Sequence, residues 1–250
     1  MYCHFVSELF QSAGTGCRKM RVTAAAGPAK LIVAIDGPSG AGKSTVTRKL
    51  AERLGYIHID TGAMFRAVAL SVSRLGVDPD DDAALARLCR SLDICFDSMN
   101  RLQLNGEDVS TAIRNPEISL LTSRIAAKPS VRNHLLYLQR KMGMHGGVVL
   151  EGRDIGTVVF PDADVKFYLT ASPEERGRRR YEELKEKGAQ VTLEQTVAEV
   201  IERDEQDLRR KVAPLSRAAD AVEIDSTVLT LEDVLEIMER AVKNYRMSAG

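Results

Sequence analysis

The chain has 250 residues, of which 44% are hydrophobic, which is enough for one sizeable domain with its own core. Lysine and arginine together number 35, as do aspartate and glutamate, so the net charge is zero. A balanced charge gives no general attraction to nucleic acid or to a membrane surface, and no apolar run approaches the roughly 20 residues that span a bilayer. We therefore expect a cytoplasmic protein with neither a nucleic-acid partner nor a membrane. We also expect a monomer, although neither composition nor charge determines the oligomeric state.

The first 29 residues differ in composition from the rest. They are rich in small and polar residues, which predicts a flexible N-terminal extension over 1–29, with Met20 as an alternative start, and a single domain over 30–250. A targeting segment is the less favoured interpretation, because the basic residues here form no amphipathic face. The four cysteines have no C-x-x-C spacing, which is typical of free thiols in a reducing compartment.

Strand and helix patterns alternate along most of the chain. Short apolar runs predict five strands, at 31–35, 56–60, 148–151, 165–170 and 221–225. Helical patterns at 43–54 and 61–75 each stop at a glycine, as helices commonly do. This alternation predicts an α/β fold with a parallel five-stranded sheet flanked by helices.

One region interrupts the alternation. Strand-like pieces at 92–96, 101–104 and 107–109 are separated by turn residues, and Asn105-Gly106 is a strong hairpin signal. Consecutive hairpins do not belong in a parallel core, so we expect an inserted antiparallel subdomain at about 85–125. Helices are predicted nearby, at 116–126 and 130–144.

Helices fill the C-terminal part of the chain. Ser172 is a predicted N-cap followed by proline and two glutamates, which indicates a helix over 172–188. Thr192 begins a capping box that predicts a second helix, over 192–211. A closing amphipathic helix is expected over 230–246.

The segment GPSGAGKST follows the first predicted strand and opens a helix, which is the context that a phosphate-binding loop requires. Its glycines let backbone N–H groups surround phosphate oxygens, its lysine reaches the β and γ phosphates, and its serine hydroxyl binds Mg²⁺. The predicted ATP site comprises Gly37, Pro38, Ser39, Gly40, Ala41, Gly42, Lys43, Ser44 and Thr45. Asp36 or Glu151, acting through water, is the expected further group at the metal.

Arginines recur in several places that fit phosphoryl transfer. Arg66 lies just beyond the second strand, and Glu151-Gly152-Arg153-Asp154 follows the third. The basic cluster over 176–180 lies on the first of the two C-terminal helices, which we interpret as a mobile lid over 172–211. The N-K-x-D segment by which a GTPase reads guanine does not occur, so a small-molecule kinase is favoured.

These motifs, taken in order, resemble the bacterial-type cytidylate kinases. The resemblance rests on GPSGAGKST, DTGAMFRAVAL, EGRDIGTVVFPDADVKFYL, SPEER, ERDEQDLRR with APL, and DAVEIDST, and it covers about 31–245. It implies a P-loop kinase core, a monophosphate-binding insertion and a lid that closes over them. It also implies that ATP and Mg²⁺ serve as cofactors in phosphorylating CMP and dCMP to CDP and dCDP.

The family pattern then suggests a role for each matching position. It implies that the CMP phosphate is bound by Arg66, Arg153 and Arg210, with Thr61 nearby in the substrate site. It assigns the cytosine to Ser123, Arg132 and Asp154, and the sugar to Arg203 and Asp207. The catalytic charges are expected on Lys43, Arg153, Arg180 and Arg210. Glu151 stands where the family often has aspartate, and Thr61 where many members have serine.

Two alternatives remain open at this point. The chain could be another P-loop kinase, acting on UMP, AMP or shikimate. It could also be a nucleotide-binding regulator without catalytic activity, although the lid arginines and Asp154 argue against that interpretation.

Overall fold

The structure, a computed structural model, describes residues 30–186, 188–209 and 213–249. The predicted extension over 1–29, with Met20, and the predicted substrate-binding residue Arg210 lie outside the described residues. Within the described ranges no helix is both long and apolar enough to cross a bilayer.

The elements are numbered in chain order over the described residues. The strands are β1 (Ile32–Asp36), β2 (Ile57–Asp60), β3 (Ile94–Phe96), β4 (Leu102–Leu104), β5 (Glu107–Asp108), β6 (Val148–Gly152), β7 (Val165–Thr170) and β8 (Val222–Asp225). The helices are α1 (Lys43–Leu54), α2 (Thr61–Leu75), α3 (Asp82–Ser91), α4 (Pro116–Ile125), α5 (Pro129–Gly143), α6 (Pro173–Glu186), α7 (Leu193–Leu208) and α8 (Leu231–Ala249).

Among the residues that the structure describes, five strands form the predicted parallel sheet, in the order β2-β6-β1-β7-β8. Asp36 at the end of β1 is level with Gly152 at the end of β6, and Glu151 on β6 is level with Asp60 on β2. Because parallel strands all end at the same edge, the polar residues that follow these apolar runs are brought together there. This edge carries the candidate site.

The hydrophobic core lies on both sides of the sheet. One cluster joins α2, α3, α4 and α5 to β2 and β6, with buried side chains that include Met64, Leu85, Ile125 and Leu150. The other packs α1 and α8 against β1 and β7. Both helical layers are needed because the strands of a parallel sheet are buried on both faces.

Local signals explain where most helices begin and end. Asp60 caps α2 by accepting a hydrogen bond from the N–H of Ala63 at 2.8 Å, and Gly55 ends α1 in the left-handed region. The capping box at Thr192 is present at the start of α7. Within the described residues α6 extends to Glu186 and α7 to Leu208. The predicted end of α7 near residue 211 lies outside the described residues.

The insertion holds an antiparallel sheet in the order β3-β4-β5, with the predicted turn at Asn105-Gly106 between β4 and β5. Helix α3 was not predicted, and neither was the π-helix Ile155–Val159 that follows β6. Leu85, Leu88, Ile94 and Leu104 belong to the same buried cluster as β6. The insertion is therefore continuous with the main core.

Candidate active site

The phosphate loop connects β1 to α1 in the conformation that its glycines permit. Gly37 has φ +151°, and a Cβ atom there would lie 2.0 Å from the carbonyl oxygen of Leu169 on the neighbouring strand β7. Gly40 has φ +76°, and a Cβ atom there would approach Arg176 to within 3.1 Å. Side chains at either position would displace backbone or a buried residue, so the loop requires glycine at both.

Lys43 begins α1 and is buried, with its Nζ donating to the carbonyl oxygen of Pro38 at 2.6 Å. Burial lowers the pKa of Lys43 well below its ordinary value, and the positive charge of Arg153 lowers it further. The carboxylates of Glu151, Asp36 and Asp207 act in the opposite direction. A polyphosphate bound in the loop would add negative charge beside this ammonium group and favour its charged form.

Ser44 and Glu151 both line the cavity and contact each other directly. The Ser44 hydroxyl donates to Oε2 of Glu151 at 2.7 Å, and the imidazole Nε2 of His58 lies 2.9 Å from Oε1 of the same carboxylate. The backbone carbonyl of Glu151 accepts from the Thr61 hydroxyl at 2.6 Å. The end of β6 is thus joined both to the phosphate loop and to the start of α2.

Asp36 occupies a different position from Glu151. Its two carboxylate oxygens accept the backbone N–H groups of Ile155 and Gly156 at 2.8 and 2.7 Å. Burial raises the pKa of Asp36 to about 6, although these two hydrogen bonds favour the charged form. The side chain holds the start of the π-helix and does not line the cavity.

Two ion pairs follow the end of β6. Arg153 donates from Nε to Asp207 on α7 at 2.8 Å, and Arg132 on α5 pairs with Asp154. Both aspartates are buried, at 1% and 7% exposure respectively. Buried ionised groups are retained only with such partners, so these pairs fix the directions of four charged side chains that the sequence assigned to CMP.

Arg66 lies one turn into α2, where its Nη2 donates to Asp60 at 3.2 Å. Its Nε is buried and has no hydrogen-bond partner within the described part of the chain. Nη2 of Arg66 is therefore held by Asp60, while Nε remains available as a donor, and such a guanidinium is suited to bind an anion.

The arginines of α6 have distinct environments. Arg176 is buried, donates from Nη1 to the phosphate-loop carbonyl of Ser39 at 3.1 Å, and pairs with Asp204 on α7 at 2.5 Å. Arg178 is half exposed and pairs only with acids of its own helix in the contacts described. Arg176 therefore joins α6 to the phosphate loop and to α7, whereas Arg178 lies at the surface of α6.

The next two arginines of α6 reach the cavity. Arg179 donates from Nη2 to the carbonyl oxygen of Ser226 at 2.6 Å and from Nη1 to that of Ala41 at 3.5 Å. Arg180 pairs with Glu183 at 2.9 Å. Since both line the cavity, α6 presents two positive charges beside the phosphate loop.

A cavity of about 560 Å³ lies beside the phosphate loop and the end of β6. It extends from the phosphate loop to the ion pair of Arg132 with Asp154. The predicted site residues that line it are Ser39, Gly40, Gly42, Lys43, Ser44, Thr45, Thr61, Arg66, Arg132, Glu151, Arg153, Asp154, Arg180, Arg203 and Asp207. Its size lies within the range of small-molecule sites, and its lining joins the phosphate loop to a polar end formed by Arg132 and Asp154.

Comparison with known proteins places this site in a family. The family model described as cytidylate kinase matches residues 33–244. The cytidylate kinase of Geobacter sp. (strain M21) is 65% identical over 223 residues, which cover 88% of this chain and 95% of that protein. The cytidylate kinase of Pelotomaculum thermopropionicum is 50% identical over 222 residues, which cover 87% of this chain and 96% of that protein.

The chain belongs to the cytidylate kinase family. The resemblance inferred from its motifs and the predicted fold class are therefore confirmed. In this cytidylate kinase the parallel sheet sets the phosphate loop, Glu151, Arg153 and Asp154 along one edge.

Some predicted residues of the kinase lie away from the cavity surface. Gly37, Pro38 and Ala41 belong to the phosphate loop but do not line the cavity, and neither does Asp36. Ser123 lines a neighbouring open pocket between α4 and α7, and its hydroxyl donates to the carbonyl oxygen of Ser119 at 3.4 Å.

The cavity also contains residues that the sequence did not single out. These are Asp60, Gly62, Phe65, Arg114, Ser119, Thr122, Ala126, Gly152, Arg179 and Glu183. Arg179 was available from the basic cluster of α6, but its sequence gives no reason to prefer it over its neighbours. Arg114 ends a short 3₁₀ helix, Ala112–Arg114, that the sequence pattern did not predict.

Proposed function

We propose that this protein transfers the γ-phosphoryl group of ATP directly to the phosphate of CMP or dCMP, with Mg²⁺ bound beside the phosphate loop. Membership of the cytidylate kinase family makes it a phosphotransferase that uses ATP and acts on CMP and dCMP. The observation that carries the residue assignments is the single cavity that links the phosphate loop to the Arg132–Asp154 pair.

On the ATP side, the glycines of the loop present backbone N–H groups to the triphosphate, and Lys43 neutralises the β and γ phosphates. Arg180, now paired with Glu183, would exchange that carboxylate for the transferring phosphoryl group. Arg179 is held by backbone oxygens near the loop, so it would add a fixed positive charge there. An acceptor oxygen then attacks phosphorus as the bond to ADP breaks, and no protein nucleophile is needed.

The groups around Ser44 fit a magnesium ion. The Ser44 hydroxyl and the Glu151 carboxylate are hard oxygen donors 2.7 Å apart, and Mg²⁺ is commonly held by one or two protein oxygens together with substrate phosphates and water. When bound, the ion would be held by Ser44 and Glu151 and would supply positive charge against the negative charge that develops during transfer. We assign this role to Ser44 and Glu151 and not to Asp36, because both oxygens of Asp36 accept backbone N–H groups.

On the acceptor side, Arg66 and Arg153 would bind the CMP phosphate, with Thr61 beside them and Arg210 completing the set. Each guanidinium has five N–H donors, so Arg153 keeps donors for phosphate while it pairs with Asp207. Arg203 and Asp207 line the cavity where the family pattern puts the sugar. The positive charge that surrounds the reacting phosphates supplies alignment as well as electrostatic stabilisation.

The base would lie against Arg132 and Asp154. A carboxylate accepts hydrogen bonds from the exocyclic amino group of cytosine, whereas uracil presents an oxygen at that position and would leave the acceptor unpaired. Ser123 would reach the base only if α4 shifts toward the cavity. We further propose that the enzyme acts as a cytoplasmic monomer, with no nucleic-acid or membrane partner.

The test is ADP production by the purified protein with ATP and Mg²⁺ and a panel of acceptors: CMP, dCMP, UMP, AMP and shikimate. Lys43→Met provides the blank. We expect efficient turnover of CMP and dCMP only. A preference for another acceptor would overturn the assignment of the base-binding residues but would not contradict the assignment of the ATP site.

A further inference from the structure

A row of polar side chains extends from the turn between β3 and β4 to the phosphate loop. The Asn100 side-chain nitrogen lies 3.0 Å from Nδ1 of His58, and Nε2 of His58 lies 2.9 Å from Oε1 of Glu151. The other carboxylate oxygen accepts from Ser44 at 2.7 Å. Asn100 and His58 belong to none of the nucleotide-binding motifs, yet they are joined by hydrogen bonds to a group beside the phosphates.

The chemistry of the amide fixes the direction of these hydrogen bonds. An amide nitrogen donates and does not accept, so Nδ1 of His58 is the acceptor and the neutral ring carries its proton on Nε2. His58 therefore donates to Glu151. The carboxylate receives one donor on each oxygen, from His58 on one side and Ser44 on the other, and this sets the plane of the carboxylate.

The turn that carries Asn100 is itself well held. The Asp97 carboxylate accepts the backbone N–H groups of Met99 and Arg101 at 2.9 Å each, and Asn100 has φ +58°, a conformation that asparagine tolerates better than most residues. The amide of Asn100 is thus presented to His58 from a fixed backbone. Each ring nitrogen of His58 thus has a hydrogen-bond partner.

We propose that His58, held by Asn100, is a positioning residue that orients the Glu151 carboxylate for the metal beside Ser44. This inference rests on the proposed metal role of Glu151. Glutamate has one more rotatable bond than the aspartate that the family often has at this position, so it loses more conformational freedom when its carboxylate is fixed. Groups that orient a metal-binding side chain typically change metal affinity 10- to 100-fold when removed.

Two substitutions of His58, to amides of similar size and polarity, distinguish the effect of the Nε2 donor from the effect of the other ring atoms. In His58→Gln the amide nitrogen can stand near the position of Nε2 and still donate to Glu151. In His58→Asn the shorter amide stands near Nδ1 and does not reach the carboxylate. The first variant should keep the positioning of Glu151 and the second should lose it.

The measurement is the affinity for ADP by calorimetry, with Mg²⁺ and again in EDTA, for each variant. The ratio of the two affinities reports what the metal adds to nucleotide binding. We expect His58→Asn to reduce this ratio about 10-fold and leave the affinity in EDTA unchanged, and His58→Gln to stay within about 3-fold of the parent protein. Loss of a residue with only a packing role would not change the contribution of Mg²⁺ to ADP affinity while leaving the affinity in EDTA unchanged.

Two companion variants keep the outcomes distinct. If Glu151→Gln loses the metal-dependent gain while His58→Asn keeps it, the positioning role is wrong and the metal role of Glu151 stands. If Glu151→Gln also keeps the gain, the metal assignment itself is wrong and the inference falls with it. Asn100→Gly preserves the positive φ but removes the amide. It should reduce the ratio in a folded protein, and an unchanged ratio would remove Asn100 from the proposal.

Equal losses in His58→Gln and His58→Asn would also overturn the inference, because donation from the Nε2 position would then be irrelevant. The melting temperature of each variant, recorded without nucleotide, shows whether a loss of ADP binding reflects unfolding. Since the affinity in EDTA is measured on the same preparation, loss of folded protein would lower the number of binding sites equally in both titrations and leave the ratio of the affinities unchanged.

Discussion

Replacing Asp154 with asparagine tests how the enzyme distinguishes cytosine from uracil. The substitution preserves the size of the side chain but removes its negative charge and replaces one oxygen with a donor. Asp154 is 7% exposed and pairs with Arg132, so the change takes place in a site largely shielded from water. The asparagine amide can turn to suit either base, because it offers both a donor and an acceptor.

The magnitude follows from that environment. A hydrogen bond to a charged group contributes about 1.5 to 3 kcal/mol, and about 1.4 kcal/mol corresponds to a tenfold change. The asparagine oxygen can still accept from cytosine as a neutral group, which retains about 0.5 to 1.5 kcal/mol of this contribution. We therefore expect kcat/KM for CMP to fall about 5- to 12-fold in Asp154→Asn, with a much smaller change for UMP. The ratio of the two values, which measures selectivity, should therefore fall by about the same factor.

The assay compares kcat/KM for CMP and UMP on one preparation of each protein. Because both values scale with the concentration of folded enzyme, their ratio is unaffected if the substitution also destabilises the protein by leaving Arg132 without its partner. Asp80→Asn is the matched control. Asp80 also pairs with two basic residues, Arg124 and Lys128, but its side chain is 56% exposed and lies outside the cavity.

Selectivity within twofold of the parent value in a folded Asp154→Asn protein would refute the reasoning. Asp154 would then serve only to neutralise Arg132. A comparable loss of selectivity in the Asp80 control would show that the assay responds to general destabilisation.

Three further predictions concern the phosphate loop and its surroundings. Lys43→Met should lower kcat by at least about 10²-fold while the melting temperature stays near the parent value. Normal turnover by this variant would exclude Lys43 from a role in phosphoryl transfer. Gly37→Ala should lower the free energy of unfolding in urea by about 3 kcal/mol, because its Cβ would meet the backbone of Leu169. Gly55 also has a positive φ, +66°, but has open space around it, so Gly55→Ala should lower this free energy by only about 1 kcal/mol. Equal losses in the two variants would contradict the steric argument. The pKa of Asp36 is raised to about 6 from an ordinary 3.8, so its stabilising contribution is present below pH 4 and is lost as pH rises through 6. Relative to Asp36→Asn, the free energy of unfolding of the parent should fall by about 3 kcal/mol between pH 4 and 7, and a flat difference would show that burial does not raise this pKa.

The sequence predicted the elements whose signals are local. Asn105-Gly106 marks a hairpin because both residues accept positive φ, and here they have φ +50° and +83°. The capping box at Thr192 likewise depends on side chains three residues apart. Such signals depend little on the rest of the fold, so the turn and the helix start could be predicted from the sequence alone.

Features decided by tertiary packing were not predicted. The π-helix after β6 depends on Asp36, which is more than 100 residues away in sequence and supplies acceptors for Ile155 and Gly156. The same holds for α6, where neighbouring arginines look alike in sequence but Arg176 contacts the phosphate loop and Arg178 faces solvent. The choice between Asp36 and Glu151 near the metal also required knowing what each carboxylate contacts.

The attachment of α6 and α7, the two helices that we propose as a lid, has a thermodynamic consequence. Helix α6 buries only Arg176 and Gly177 among its described side chains, and Val200 is the one apolar side chain that α7 buries. Polar contacts such as Arg176 with Ser39 and Arg153 with Asp207 hold these helices to the core. Because the heat-capacity change of a transition follows the apolar surface that it exposes, lid opening should carry almost none, in contrast to unfolding. The enthalpy of lid opening should then be nearly independent of temperature. A van't Hoff plot of the equilibrium constant between open and closed enzyme should therefore be nearly straight.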